Sequence, residues 1–338
     1  MKIPYRIRRL LLRIAIGVLI LIFIGLLAFG GGLLWSDKYI YYTRDGAVMD
    51  PNLPPIAEDG QLAVAPQKGE PVKIYYNEGE NTINTSRELT QLVGYYIDAE
   101  QLKDIPTVKA QLQTLPAGTP VMIDVKNIYG GYYYSSSVSE ARTDGIDIQA
   151  MDELISYLNQ SGAYVIARLP ALRDKNYGLN NDQDGVLHSS RGYLWMDDEG
   201  CYWLNPSREG TISYLTRTIN ELKSLGFDEV VLADFCFPAT DNIYAGGDQG
   251  EMITTAAKTL VETCSTDTFA VSFVGDAKFP LPEGRTRLYV QSASAAEAST
   301  IAQDTGFEDY SIRLVFLTEN HDTRFDAYSV MRPLSSAH

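Results

Sequence analysis

Eight short apolar runs recur between residues 93 and 332, and their spacing constrains the fold more than any other feature of the chain. They are VGYYID (93–98), PVMIDVK (120–126), AYVIARL (163–169), EVVLADF (229–235), FAVSFV (269–274), RLYVQS (287–292), SIRLVFLT (311–318) and DAYSVMR (326–332). Between them lie stretches with helical periodicity. In DIQAMDELISYLNQSG, Ile148, Met151, Ile155 and Leu158 fall on one face, Asp147 fits an N-cap, and Gly162 fits a C-terminal stop. Ile212, Leu215, Ile219 and Leu222 repeat in the same way before Gly226. The later helices are weaker, and the last is absent. Strands alternating with helices over some 240 residues imply parallel βαβ units. Eight such strands imply a (β/α)8 barrel. A doubly wound open sheet is the alternative, but no glycine-rich phosphate loop follows the first strand, and no cofactor is expected.

The N-terminus carries a different signal. Residues 14–35 contain no charge, and five basic residues and no acid precede them: Lys2, Arg6, Arg8, Arg9 and Arg13. A bilayer span needs about 20 apolar residues. The basic flank predicts a cytoplasmic tail at 1–13, a single transmembrane helix at 14–35 and an extracytoplasmic remainder. A cleaved signal peptide is the competing reading; its apolar core would be shorter and would end in a small-residue cleavage site. Residues 36–90, rich in Pro, Gly and acid, read as a stalk, and the barrel is expected over 91–335.

Charge and cysteine usage exclude several classes. The chain has 28 Lys and Arg against 43 Asp and Glu; without the tail, 23 basic residues face the same 43 acids, a net charge of -20. Such a body is not expected to bind nucleic acid or an anionic lipid surface. Cys201, Cys236 and Cys264 are too few and sparse for a disulfide framework. His188, His321 and His338 lack metal-ligand spacing, so no metal site is expected, and a metal-dependent deacetylase lacks its ligand cluster.

In a barrel of this kind active sites lie at the C-terminal ends of the strands. Four consecutive apolar runs end in an ionisable group: Asp98, Asp124, Arg168 and Asp234. Because side chains alternate along a strand, Asp124 shares a face with Met122 and Lys126, Arg168 with Ile166 and Tyr164, and Asp234 with Leu232 and Val230. If those faces point inward, the charges converge on one mouth, and Arg168 keeps Asp234 ionised. The plainer reading makes Asp124 and Arg168 a structural ion pair, Asp98 a loop residue and Lys126 a solvated rim residue. Aromatic loops add a second clue. YGGYYYSSS, with Tyr132, follows the second strand, and a long connection from Pro170 to Leu204 carries Tyr193, Trp195, Tyr202 and Trp203. Flat aromatics at a mouth stack on sugar rings; otherwise they pack the loop onto the barrel. Asn205-Pro206 reads as an N-cap and first helical residue.

The stretches YVIARLPALRD, LWMDDEGCYWLNPSREG and GFDEVVLADFCFP resemble motifs of a bacterial family of glycoside hydrolase-like TIM barrels, a domain of unknown function, and MIDVKNIYGG resembles the same family's second-strand motif. The resemblance covers roughly residues 90–335 and is strongest over 120–238. It implies that Asp124, Lys126, Arg168, Trp195 and Asp234 belong to a carbohydrate site. The chain departs from the family pattern in three places. An arginine is missing after Asp234, Asn205 replaces an aspartate before Pro206, and the sixth strand ends in Gln291 and Ser292 instead of a Tyr- and His-containing motif.

Glycoside hydrolysis needs two carboxyl groups flanking the bond. Asp234 is the expected nucleophile or base, with Glu319 in FLTENHD as first candidate for general acid and Asp124 as second. Asp98, Lys126, Arg168, Tyr132, Trp195 and Gln291 are the expected substrate contacts. The resulting expectation is a membrane-anchored glycoside hydrolase acting on cell-wall or extracellular glycan. The alternative is a glycan-binding or envelope scaffold protein built on a degenerate hydrolase barrel. Glu319 discriminates: facing Asp234 it supports the enzyme, and pointing to solvent it supports the binder.

Overall fold

The computed structural model describes residues 40–43, 46–49, 88–139 and 145–337. The expected basic tail, the apolar span at 14–35 and most of the stalk lie outside the described residues. Among the described residues no helix is long and apolar enough to cross a membrane. The chain divides into two compact units, Met1–Glu78 and Gly79–His338. In the first, within the expected stalk, β1 (Ile40–Thr43) pairs antiparallel with β2 (Gly46–Met49), Ile40 opposite Met49. The β-branched and aromatic residues of IYYT favour such a strand.

The second unit is a closed, all-parallel barrel of eight strands: β3 (Val93–Ile97), β4 (Val121–Asp124), β5 (Val165–Pro170), β7 (Glu229–Ala233), β9 (Ala270–Val274), β10 (Leu288–Gln291), β11 (Leu314–Leu317) and β12 (Ser329–Pro333), with β12 closing onto β3. Each strand coincides with one of the eight apolar runs, β5 and β12 extending one residue beyond theirs. Helices α1 (Ile105–Leu112), α2 (Ile148–Gln160), α4 (Glu209–Ser224), α5 (Gln249–Cys264) and α6 (Ala298–Thr305) lie between strands; α3 (Lys175–Asn180) and α7 (Tyr310–Arg313) are short. Among the described residues only a 3-10 turn, Thr323–Phe325, separates β11 from β12. The Asp147 carboxylate accepts the Ala150 amide as the N-cap of α2, and Gly162 and Gly226 take the left-handed backbone just past the ends of α2 and α4. Asn205 is not an N-cap. Its Oδ1 accepts the Ser207 amide and hydroxyl in a turn, its Nδ2 donates to the Ala245 carbonyl, and α4 starts only at Glu209.

The strand faces divide the core in two. Met122, Ile166, Val231, Tyr289, Val315 and Met331 pack inside the barrel. Val121, Ile123, Val165, Ala167, Val230 and Leu232 pack outward against Met151, Leu158, Leu215, Ile219 and Leu222. Asp124 and Arg168 therefore follow the inward parity of Met122 and Ile166, as expected. β7 does not behave as expected: its inward positions include Val231, whereas Val230 and Leu232 face the helices. Both faces of Val-Val-Leu are apolar, so hydrophobicity cannot tell inside from outside here.

Glu229 shares the inward parity of Val231 and sits at the opposite end of β7 from Asp234. Its fully buried carboxylate accepts bonds from Ser272 (2.5 Å) and Tyr289 (3.0 Å) on one oxygen, and from Tyr164 (3.0 Å) and Arg287 on the other. Arg287 also donates to the carbonyls of Ile312 and Thr90. A buried charge this well satisfied plugs the N-terminal end of the barrel, where residues serve stability.

The connection from Pro170 to Leu204 is built, not loose. It carries α3 and the strand β6 (Leu187–His188), which pairs with β8 (Ile243–Tyr244) from the connection after β7.

Candidate active site

The ends of β3, β4 and β5 form one group. Asp124 and Arg168 are partners in register across β4 and β5. Arg168 Nε donates to Asp124 Oδ1 at 2.6 Å and Nη2 donates to Oδ2 at 2.9 Å, while the Ala99 amide donates to Oδ2 at 3.2 Å. The guanidinium lies 5.8 Å from the centre of the Tyr96 ring. Burial works against the Arg168 charge, but the Asp124 hydrogen bonds and charge more than offset it and leave the pKa raised. The Tyr96 hydroxyl is also raised: burial dominates, Arg168 opposes, and Glu319, Asp98 and Asp124 add to the rise. Asp98 also closes a local turn, accepting the Gln101 amide at 2.9 Å. Glu319 is exposed, and its charge acts on Tyr96.

Asp234 belongs to a second group. The chain leaves β7 at Ala233, and Asp234 takes a left-handed backbone with φ 49°. This turn, and not strand alternation, aims the side chain. Few residues other than glycine adopt φ above zero, and such outliers concentrate at functional sites. Phe235, buried against Phe273 with ring centroids 4.9 Å apart, anchors the next position. Among the described residues the Asp234 carboxyl has neither a hydrogen bond nor an ion pair. Burial raises its pKa; Arg173 and Lys126 oppose the rise, and Asp197 and Glu199 add to it. The expectation that Arg168 holds Asp234 ionised fails: its Nε and Nη2 bond Asp124, and the Asp234 pKa is raised.

Three of the charges that act on Asp234, namely Arg173, Asp197 and Glu199, come from the third connection. Arg173 Nε donates to Asp197 Oδ2 at 2.6 Å, Nη2 lies 3.2 Å from Glu199 Oε1, and the guanidinium sits 5.7 Å from the Trp203 ring centre. Trp203 Nε1 donates to the same Asp197 oxygen at 2.9 Å. Arg173, Asp197 and Glu199 lie in the ALRD and WMDDEG stretches, where only the aromatics had drawn notice. Arg173, three residues past the end of β5, was the signal; Asp197 and Glu199 lie far along the connection and carried none.

The remaining expected contacts scatter. Lys126 is buried, with Nζ 2.8 Å from Asp174 Oδ2, so it is neither a solvated rim residue nor free to meet a sugar. Tyr132 is in the core, its hydroxyl bonded to Tyr214 (3.0 Å) and Thr218 (2.8 Å). Trp195 packs half-buried on the main core, and its backbone amide donates to Val186, so it holds the loop down. Gln291 is exposed at the end of β10, followed by Ser292 in a left-handed backbone, φ 58°. Among the described residues no cluster of His, Cys, Asp and Glu could hold a metal ion.

Residues 94–268 match the profile of a family described as "Putative glycosyl hydrolase domain". No curated protein matches the sequence. Solved structures with a similar fold include a hypothetical protein from Ruminiclostridium thermocellum ATCC 27405, with 19% identity, a TM-score of 0.43, and coverage of 53% of this chain and 96% of that one. They also include the GH20 exo-β-N-acetylglucosaminidase of Vibrio harveyi in complex with N-acetylglucosamine, with 9% identity, a TM-score of 0.47, and coverage of 67% and 41%. A third is the β-N-acetylhexosaminidase of Bacteroides fragilis NCTC 9343, with 10% identity, a TM-score of 0.47, and coverage of 68% and 50%. This chain spans half or less of the length of those two hexosaminidase chains.

Proposed function

The chain belongs to the family described as "Putative glycosyl hydrolase domain", and from that premise we propose that its barrel mouth hydrolyses a glycosidic bond in a cell-wall or extracellular glycan, with Asp234 as the working carboxyl. One observation carries the reading. Asp234 is a half-buried carboxyl without a partner among the described residues, held on a left-handed backbone at the C-terminal end of a barrel strand. A group placed so is costly to the fold and available to a ligand. Its raised pKa suits a proton donor to the leaving oxygen better than the ionised nucleophile that the sequence suggested. Asp124, fixed by Arg168, is then the carboxylate for the opposite side of the bond. The charge-free span at 14–35 and its basic flank support an anchor that keeps the barrel on the extracytoplasmic side.

One observation favours a second reading, glycan binding without turnover. Glu319 is exposed, and its charge acts on Tyr96, at the group formed by β3, β4 and β5. Incubating the full-length protein with labelled wall glycans, while reading both retention and release of fragments, separates the two. Release that Asp234→Asn abolishes supports the hydrolase; retention without release supports the binder. Neither retention nor release from any glycan tested would overturn both.

A further inference from the structure

We propose that the buried Lys126–Asp174 ion pair is the positioning device for Asp234, acting through the backbone of the third barrel strand, to which its enclosed ammonium is bonded. The inference rests on reading Asp234 as the working carboxyl. Lys126 lies two residues beyond Asp124, and its side chain has no exposure to solvent. Its Nζ lies 2.8 Å from Asp174 Oδ2 and donates to the Pro170 carbonyl at 3.1 Å. Pro170 is the register partner of Ala233 across β5 and β7, and the Ala171 amide donates to the Ala233 carbonyl at 2.7 Å. The ammonium is thus tied to the strand position directly abreast of the residue before Asp234.

Asp174 fixes the other side. Its Oδ2 also accepts the Tyr214 hydroxyl at 2.7 Å, and its Oδ1 accepts the Tyr177 amide at 2.8 Å, capping α3. The rings of Tyr132 and Tyr214 enclose the ammonium, with centroids at 6.0 and 5.9 Å. Stability alone does not call for such a pair, because well-packed apolar residues hold buried elements together as well or better. The charge has a use if something nearby responds to it, and Asp234 does. The groups facing Asp234 are Arg173, Lys126, Asp197 and Glu199, with the Cys236 thiol two residues on. Lys126, together with Arg173, opposes the rise that burial imposes on Asp234. Arg173 is already committed to Asp197 and Glu199.

The test is direct titration of Asp234 in the full-length protein labelled with [4-13C]aspartate, its signal assigned by its loss in Asp234→Asn. Lys126→Met/Asp174→Asn removes both charges while keeping the volume and the α3 cap. Its Asp234 midpoint is expected to rise by about one pH unit, the scale on which a close charge moves a carboxyl. Asp174→Asn alone leaves the Lys126 cation without its counter-charge, and the midpoint is expected to fall. Opposite shifts from the two variants support the proposal. Unchanged midpoints in folded variants overturn it and leave the pair a purely structural tie, which would lower the melting temperature alone. If the double variant does not fold, the direction of the Asp174→Asn shift decides by itself. The titration needs no glycan, so it stands apart from the activity. Should the midpoints move as expected while Asp234→Asn leaves glycan release and retention intact, the reading of Asp234 as the working carboxyl fails and the positioning role stands.

Discussion

Arg168 spends its guanidinium on Asp124, Nε to Oδ1 at 2.6 Å and Nη2 to Oδ2 at 2.9 Å, from the register position directly alongside it. The pair is mostly buried, each side chain 17% exposed. It ties β4 to β5 at the mouth and leaves Asp234 to other cations.

Removing one member of this pair strands a partly buried charge. Arg168→Leu is expected to cost about 2 to 4 kcal/mol in urea unfolding. Arg168→Lys recovers only part of this, since an ammonium cannot reproduce the two parallel bonds. Equal stability of Arg168→Leu and the parent protein would count against the pair.

The plug at the other end should matter more to folding and not at all to the site. Glu229→Leu leaves Arg287 buried without its counter-charge, and the expected loss is about 3 to 5 kcal/mol. Tyr289→Phe removes a single buried hydrogen bond to Glu229 and should cost about 1 kcal/mol. Chemical denaturation of the two variants checks both values and their order.

Asp234 gives stability a pH dependence of definite sign. Its pKa is raised in the folded state, so the native protein holds this proton more tightly than the unfolded chain. Its contribution is therefore fully present below the unfolded carboxylate range, near pH 3.8, and is lost as pH rises through the folded value. Asp234→Asn cannot ionise, and asparagine tolerates the left-handed backbone. The variant should melt at or above the parent temperature at pH 7, with the advantage shrinking towards pH 4. Calorimetry at the two pH values tests this, and a lower melting temperature at pH 7 would contradict it.

The same substitution should separate stability from function. Asp234→Asn is expected to lower glycan release at least about 100-fold, the low end of what positioned proton transfer contributes. Glu319→Gln, at an exposed position, is expected to leave release within about twofold of the parent. A Glu319→Gln variant as inactive as Asp234→Asn would return Glu319 to the role of general acid.

By itself the sequence determined the barrel. Strands buried on both faces must be apolar almost throughout, and helices of period 3.6 must lie between them, so eight runs and their spacing were enough to place every barrel strand. Caps and stops such as Asp147 and Gly162 are equally local, because their chemistry acts within one turn of chain. Only the tertiary structure decided the site. In Val-Val-Leu-Ala-Asp the alternation marks two faces without saying which one looks inward, and Asp234 leaves the alternation altogether through its left-handed backbone. Pairing was equally hidden. Lys126 meets Asp174 and Glu229 meets Arg287 across 48 and 58 positions of chain, a proximity set by barrel closure. No local pattern records which charges that closure brings together.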